Sequence, residues 1–163
     1  MLDDLDRQII AILQYDGRAP FTGIAKELGT TEGTVRRRVK QLTESGLMQI
    51  VAIVESHNMG FDEAAMIGIS AQANLVSSVA DEVAKLPEVS YLFQAAGEYD
   101  LIAEVYCRDR EHFVSFMNDE LHQIEGVQAT ESFMMLKMHK LSYRWGEARP
   151  PGFNYPNGLG GNP

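Results

Sequence analysis

The chain has a single cysteine, Cys107, among 163 residues, and no apolar run reaches the length of about 18 residues that a membrane span needs. One cysteine excludes an internal disulfide bond and suits a reducing cytoplasm. The first ten residues, MLDDLDRQII, are acidic where a signal peptide would be basic, so we expect no export and a cytoplasmic location. The length accommodates one large or two small globular domains.

Residues typical of catalysis or metal binding are also scarce. No two histidines pair at i, i+4 spacing on a predicted helix, and no Cys/His cluster offers a metal site. Glu98 and Asp100 are an acid/base candidate, but no nucleophile or phosphate loop accompanies them. An enzyme is the main competing class, and we expect no enzyme, metal or cofactor. The four histidines are His57, His112, His122 and His139.

Basic residues are concentrated in the first third of a chain whose formal net charge is −9. Residues 1–50 hold seven Lys/Arg and seven Asp/Glu, which net zero, whereas residues 51–163 hold seven against sixteen and carry the whole −9. Three of the cations, Arg36, Arg37 and Arg38, are adjacent. A nucleic-acid partner is therefore expected at the N-terminal third, because the acidic remainder would repel a phosphate backbone.

Three short helices are predicted in this third. Asp3 or Asp4 can cap the first, which carries one apolar stripe and is broken by DGRAP at residues 16–20. The second has Thr22 as its expected N-cap and ends at Gly29, and the third runs to about residue 45, just before Gly46. Its N-cap is Thr30 or Thr31. The last two helices, joined by a tight turn, form a helix-turn-helix pattern. The first stripe comprises Leu5, Ile9, Ile12 and Leu13.

The third helix has a buried stripe and a cationic outer face. At 100° per residue, Arg37 lies opposite the apolar residues and two other arginines flank it. A recognition helix in the major groove needs this arrangement, with donors at base edges and cations on phosphates. The alternative is a solvated helix face, but the position on a helix-turn-helix in an acidic chain favours DNA. The stripe is Val35, Val39 and Leu42, and the outer positions are Gly33, Arg36, Arg37, Arg38, Lys40 and Gln41.

Residues 47–55, LMQIVAIVE, are rich in β-branched side chains and predict a strand directly after the third helix. In a winged helix-turn-helix such a strand closes the small domain. Further on, alternating patterns predict strands at 64–73, 89–95, 101–107 and 127–141, and helices at 76–86 and 110–124. The order βαββαβ is that of the ferredoxin-like fold. The expected class is therefore α+β, with an N-terminal winged helix-turn-helix domain and a C-terminal ferredoxin-like domain.

The predicted strands are apolar on both faces, although two helices cover only one face of such a sheet. Tyr91 and Phe93 alternate with Leu92, and the Met-rich last strand repeats the pattern. A half-buried antiparallel sheet has a polar outer face. Burial against a second sheet from an identical subunit removes the conflict, so we expect a homodimer.

The turn AAGEYDLIAEV, residues 95–105, allows two interpretations. Gly97 permits a positive φ in a tight hairpin, and neighbouring backbone N–H groups can bind an anion while Asp100 accepts from an ammonium group. Those are the two ends of a free amino acid. The same GEYD is also a good hairpin turn in which Asp100 satisfies backbone donors, and composition alone favours this second interpretation.

With TTEGTVRRRVKQLTESGLM, βαββαβ and GEYD in this order, the chain resembles the Lrp/AsnC (feast/famine) family of transcription regulators from about residue 2 to residue 143. Met59–Gly60 stands at the family's Leu-Gly-like step. The resemblance implies a DNA-binding domain at 1–49, a linker strand at 50–62 and a ferredoxin-like (RAM/ACT-like) sensing domain at 63–145. The Gly/Pro-rich tail, 146–163, extends beyond the family pattern.

The resemblance also implies partners. These are a double-stranded DNA operator and homodimers that assemble into tetramers or octamers, with a small effector, a free amino acid, bound between dimers. An architectural DNA-binding protein without an effector is the alternative. No membrane partner is expected. The implied DNA-binding residues are Thr31, Gly33, Thr34, Arg36, Arg37, Arg38, Lys40 and Gln41. The implied effector-binding residues are Gly97, Glu98, Tyr99, Asp100, Thr130 and Ser132, with Ser at a position more often Thr.

Overall fold

A computed structural model describes residues 2–54 and 56–142. The chain divides into two compact units with a boundary between residues 52 and 53, inside the predicted linker. No helix of the described residues is both long enough and apolar enough to cross a membrane. The predicted tail, 146–163, lies outside the described residues.

The first unit consists of three helices: α1 (Asp4–Tyr15), α2 (Phe21–Glu27) and α3 (Glu32–Glu44). Asp3 caps α1 and Thr31 caps α3, so each predicted pair of caps is resolved to one residue. Gly29 and Gly46 have φ angles of 62° and 72°, the left-handed conformation that ends a helix. The core comprises Ile9, Ile12, Leu13, Ile24, Ala25, Val35 and Val39.

Two expectations for this region are wrong. Thr22 does not cap α2, because the helix begins one residue earlier, at Phe21, and Pro20 takes the N-cap position without a side-chain hydrogen bond. Residues 47–54 form no strand. Their β-branched side chains are exposed, Val51 at 68% and Val54 at 60%, because no strand of the described chain pairs with this segment. The predicted wing strand is therefore not formed by residues 47–54. A short 3-10 helix, Ser56–Met59, follows, and Gly60 leaves it with a φ of 77°.

The second unit is a four-stranded antiparallel sheet in the order β2-β3-β1-β4. The strands are β1 (Glu63–Ala71), β2 (Val89–Gln94), β3 (Leu101–Cys107) and β4 (Val127–Met134). Helix α4 (Val76–Val83) connects β1 to β2, and α5 (Arg110–Ser115) begins the connection from β3 to β4. This order is that of the ferredoxin-like fold. The predicted α+β class, with an N-terminal helix-turn-helix domain and a C-terminal ferredoxin-like domain, is therefore confirmed.

The second predicted helix of this unit, 110–124, is not uniform. After α5 the chain widens into a π-helical turn, Phe116–Glu120, and then tightens into a 3-10 turn, Leu121–Gln123. The wider turn allows Phe116 and Leu121, five residues apart, to face the sheet together, and both are buried. The last strand is also shorter than predicted, because it ends with its partner β1 and does not continue to residue 141.

One face of the sheet is buried under the helices. Ala65, Ile67 and Ile69 of β1 alternate with residues on the other face and are fully buried, as are Leu101 and Val105 of β3. The opposite face carries exposed aromatic residues at both edges: Tyr91 is 60% exposed, Phe93 39% and Phe133 49%. The predicted apolar character of both faces is confirmed within the strands. Leu136 and Met138 lie beyond the end of β4.

Candidate nucleic-acid interface and effector site

The turn from α2 to α3 is fixed by backbone and hydroxyl hydrogen bonds. The N–H of Thr30 donates to the carbonyl of Ala25 at 2.9 Å, which closes the end of α2. The hydroxyl of Thr31 accepts from the N–H of Thr34 at 3.2 Å, and the two hydroxyl oxygens are 2.9 Å apart. The two threonines predicted to contact DNA therefore also hold the start of α3.

The three adjacent arginines have different environments. Arg37 is exposed, and its Nη1 donates to the neutral Oε1 of Gln41 at 3.2 Å. Arg36 is also exposed, but it pairs with Glu32 at 2.5 Å and lies over the ring of Phe21, 5.5 Å from the centroid. Arg38 pairs with the carboxylates of Asp3, the N-cap of α1, and Asp6 in its first turn, and is only 25% exposed.

Charge that is free to meet a phosphate is therefore centred on Arg37. No carboxylate among the described residues lies within ion-pair distance of it, whereas Lys40 is 3.6 Å from Glu44 and remains 70% exposed. Such an exposed ion pair is worth little and can be exchanged for a phosphate at small cost. Gly33 shares this face, and a Cβ at its position would meet nothing within 4 Å. The outward position predicted for Gly33, Arg36, Arg37, Lys40 and Gln41 is confirmed. The outward position predicted for Arg38 is wrong, because its guanidinium pairs with Asp3 and Asp6.

The connection between β2 and β3 is wider than a tight hairpin. Six residues, 95–100, separate the strands, and Gly97 has no positive φ, so its predicted left-handed conformation is wrong. The N–H of Ala95 donates to the carbonyl of Asp100 at 2.9 Å, and the N–H of Asp100 donates to Ile69 at 3.0 Å. The Oδ2 of Asp100 accepts from the N–H of Ala71 at 2.8 Å. Asp100 thus satisfies a backbone donor, as the turn interpretation expected.

Tyr99 crosses the outer face of the sheet. Its ring lies on Gly68 of β1 and meets the ring of Phe133 edge-on, with centroids 6.3 Å apart. Its hydroxyl donates to the carboxylate of Glu131 in β4. The sequence pattern alone does not single out Glu131 or Gly68. The signal that could have found Glu131 is its position between Thr130 and Ser132, where the alternation of a strand places it on the opposite face.

The six predicted effector residues do not converge on one face. Thr130 pairs with Ile69 and Ser132 with Ile67, so both lie on the helix-covered face, where the Thr130 hydroxyl is 2.8 Å from Nε2 of His122. Tyr99 lies on the outer face, and Gly97 and Glu98 are exposed in the connection. The structure brings Tyr99 and Asp100 to β1 and leaves Thr130 and Ser132 on the other side of the sheet.

Two of the histidines pair with carboxylates. His57 is 2.6 Å from Asp62, and His112 is 3.0 Å from Glu88. Cys107 is buried in β3, and burial, followed by the negative charges of Glu88 and Glu120, raises the pKa of its thiol to about 11. Among residues 2–54 and 56–142, no group of three potential ligands could hold a metal ion.

A helix-turn-helix unit with a cationic outer helix face, followed by a separate ferredoxin-like unit, defines a two-domain DNA-binding regulator. Residues 2–43 match the family model for the AsnC-type helix-turn-helix domain, and residues 64–145 match that for the Lrp/AsnC ligand binding domain. The chain belongs to the Lrp/AsnC family of transcriptional regulators. This family consists of DNA-binding regulators and not of enzymes.

Relatives and solved structures agree with this assignment. The HTH-type transcriptional regulator FL11 of Pyrococcus furiosus is 36% identical over 141 residues, which cover 86% of this chain and 93% of that protein. The structure of Escherichia coli AsnC is similar with a TM-score of 0.75 at 25% identity, over 86% of this chain and 96% of that chain. A Neisseria meningitidis transcriptional regulator in complex with L-Met gives a TM-score of 0.78 at 28% identity, over 90% and 97%.

Proposed function

We propose that this regulator reads a specific operator through the outer face of α3 and that a free amino acid, bound between dimers near residues 95–100, changes its affinity for DNA. The observation that carries the DNA-reading part is Arg37, an exposed guanidinium whose partner is a neutral amide. The contacts would come from Thr31, Gly33, Thr34, Arg36, Arg37, Lys40 and Gln41. A different role for Arg38 is argued below.

Replacing Arg37 by Ala tests this reading helix. Loss of a phosphate contact lowers the affinity for every duplex and reduces the slope of log affinity against log salt by about one. Lys85→Ala is a matched control, because it removes one exposed cation of the other unit, where it pairs with Glu82 at 2.7 Å. Fluorescence anisotropy across a salt series measures both variants. An Arg37→Ala affinity equal to that of the control would remove α3 from the interface.

An amino-acid effector is supported by the ligand-binding domain match and by L-Met in the complex of the Neisseria relative. At the proposed site, Tyr99 and Asp100 border β1, and exposed backbone at Gly97 and Glu98 offers N–H donors. Thr130 and Ser132 would take part from the other face of the sheet, which in an assembly can meet a second dimer. A carboxylate on N–H donors and an ammonium on Asp100 match the two ends of the ligand.

Calorimetry with each of the twenty amino acids tests the effector. Asp100→Asn is the informative variant, because the amide oxygen can still accept from the N–H of Ala71 while the charge that would meet an ammonium is removed. We expect weaker effector binding and unchanged DNA affinity in the absence of effector. If no amino acid binds, or none changes DNA affinity, the proposal of an effector sensor fails and an architectural DNA-binding protein without an effector is favoured.

Assembly through the outer face of the sheet is supported by the exposed aromatic residues at its two edges, Tyr91, Phe93 and Phe133. Apolar surface of this kind gains stability when an identical sheet covers it. Phe133→Asp places a charge on that face and is expected to shift the sedimentation of the chain towards the monomer. Val114→Asp is the control, since Val114 is 50% exposed on α5. An unchanged sedimentation coefficient for Phe133→Asp would place the dimer interface elsewhere.

A further inference from the structure

Arg38 follows Arg37 directly in the sequence, but its side chain turns inward to the first helix. Its Nη1 lies 2.8 Å from Oδ2 of Asp3 and 3.2 Å from Oδ1 of Asp6. The same nitrogen is 3.3 Å from the other Asp6 oxygen. Asp6 is the one charged residue that is buried in the described part of the chain, at 7% exposure. The charge of Arg38 is therefore matched inside the domain before any phosphate approaches.

The two carboxylates that bind Arg38 also form the capping box of α1. Oδ1 of Asp3 accepts from the N–H of Asp6 at 2.8 Å, and Oδ2 of Asp6 accepts from the N–H of Asp3 at 3.2 Å. A cation from the middle of α3 thus holds the first turn of a helix 32 residues earlier. The contact joins the recognition helix to the N-terminus of the domain.

Moving Arg38 to a DNA phosphate would be costly. It would leave the buried carboxylate of Asp6 without its cation, and an uncompensated buried charge is strongly unfavourable. The exposed arginines 36 and 37 face no such penalty. The apolar stripe of α3 sets how closely the helix packs, but three aliphatic side chains resist a roll about the helix axis only weakly. A directional ion pair on the flank of the stripe opposes that roll.

We propose that Arg38 is a positioning residue that fixes the rotation of the recognition helix through Asp3 and Asp6, and that it makes no phosphate contact. Asp3 and Asp6, at the start of α1, then contribute to DNA reading through the position of α3. The inference rests on the proposal that α3 reads DNA, which Arg37→Ala tests separately. If Arg37→Ala has no effect, that proposal fails. If Arg37→Ala weakens binding and the Asp6 variant below does not, only the present inference fails.

The decisive variant is Asp6→Asn, because the two roles of Arg38 predict opposite signs. If Arg38 contacted a phosphate, the loss of a competing carboxylate would free the guanidinium and raise DNA affinity. If Arg38 positions the helix, the same loss lowers specific affinity, by about threefold or more, although the protein has become less acidic. The probe is the duplex that the unmodified protein selects from a randomised pool. A duplex of scrambled sequence serves as the nonspecific reference.

The ratio of specific to nonspecific affinity provides a readout that an effect on folding alone would not move. A lost phosphate contact weakens both duplexes equally and reduces the salt slope by about one. A lost positioning contact lowers the ratio and leaves the slope unchanged. We expect this second result for Arg38→Gln. The double variant Asp6→Asn/Arg38→Gln is expected to bind the specific duplex at least as tightly as whichever single variant binds it less tightly, because both changes break the same contact.

Asp3→Asn keeps the inference testable if Asp6→Asn does not fold. Asparagine is as good an N-cap as aspartate, so α1 retains its start while the 2.8 Å ion pair loses its charge. Helix content measured by circular dichroism confirms that the variant is folded at the assay temperature. A lowered specificity ratio supports the inference. A higher or unchanged ratio for Asp3→Asn, together with a reduced salt slope for Arg38→Gln, would overturn it.

Discussion

The ring of Tyr99 lies directly on Gly68, so that a Cβ at position 68 would come within 2.6 Å of two ring carbons. Gly68 is in the central part of β1, between two neighbouring strands. A glycine in a strand interior costs conformational entropy, and here it makes room for an aromatic side chain from the connection between β2 and β3. The hydroxyl of Tyr99 then reaches Glu131, so the connection is tied to both β1 and β4.

Gly68→Ala is therefore expected to destabilise the second unit by about 1–3 kcal/mol, because the methyl group forces the ring to move and breaks the contact with Glu131. Thermal unfolding followed by circular dichroism measures the change. Tyr99→Ala removes the obstacle, so the pair Gly68→Ala/Tyr99→Ala is expected to be no less stable than Tyr99→Ala alone. A Gly68→Ala variant as stable as the unmodified chain would contradict the close packing.

This contact also shows where sequence reasoning on the effector site reached its limit. The sequence predicts GEYD at the connection between β2 and β3, and the structure confirms one of the two roles considered for Asp100, since its carboxylate accepts from the N–H of Ala71. The ring of Tyr99 lies on the outer face because Gly68, 31 positions away in the sequence, leaves room for it. A local sequence pattern does not show that two residues so far apart will be in contact. The register of β4 against β1, which separates Thr130 from Tyr99, depends on the same long-range contacts.

The helix-turn-helix was more predictable because its signals are local. A cap, a 3.6-residue apolar period and a terminal glycine all lie within one helix, and Thr31, Val35 and Gly46 occupy the expected positions. The segment 47–54 illustrates the opposite case. Its β-branched composition is typical of a strand, but a strand needs a partner for its backbone groups, and composition does not say whether one is present. The contacts of Arg38 are likewise hard to predict from local patterns, since its partners lie at the start of the chain.

Gly33→Ala and Gly46→Ala form a matched pair, because an added Cβ meets nothing within 4 Å at either position. Gly33 lies within α3 without a positive φ, so alanine is expected to stabilise the helix by up to about 1 kcal/mol. Gly46 has a φ of 72°, and alanine there is expected to cost about 1–2 kcal/mol. Urea unfolding measures the stability of both variants.

In DNA binding, we expect the more stable Gly33→Ala variant to bind less tightly, since its methyl group points from the proposed reading face. Tighter DNA binding by Gly33→Ala would argue against a close approach of the DNA to α3 at Gly33.

Cys107 is expected to resist thiol reagents at pH 8. The side chain is fully buried in β3, and burial, followed by the charges of Glu88 and Glu120, raises the pKa of the thiol from 9.0 to about 11. The thiolate is the reactive form, so labelling should require opening of the sheet and should become rapid in urea.

The raised pKa of the Cys107 thiol also makes the stability of the fold depend on pH. The unfolded thiol releases its proton from about pH 9 while the folded one retains it, so stability is lost as pH rises from 9 to 11. The Cys107→Ala variant should lose less stability between pH 9 and pH 11. Rapid labelling of Cys107 in the folded chain would contradict the burial of its thiol.

Acid is expected to loosen the start of α1 before the rest of its unit. The backbone N–H of Asp6 donates to the Asp3 carboxylate and, with the nearby Arg38 guanidinium, lowers the pKa of that carboxyl from 3.8. A carboxyl with a lowered folded pKa stabilises the fold fully above the unfolded value, and this contribution is lost as pH falls through the lowered one. Hydrogen–deuterium exchange of the α1 amides between about pH 5 and pH 2 measures the effect locally. Asp3→Asn cannot ionise, so its α1 amides should show less protection at pH 5 and a smaller change on acidification. The same pH dependence in Asp3→Asn would show that the Asp3 carboxyl is not the source of the acid response.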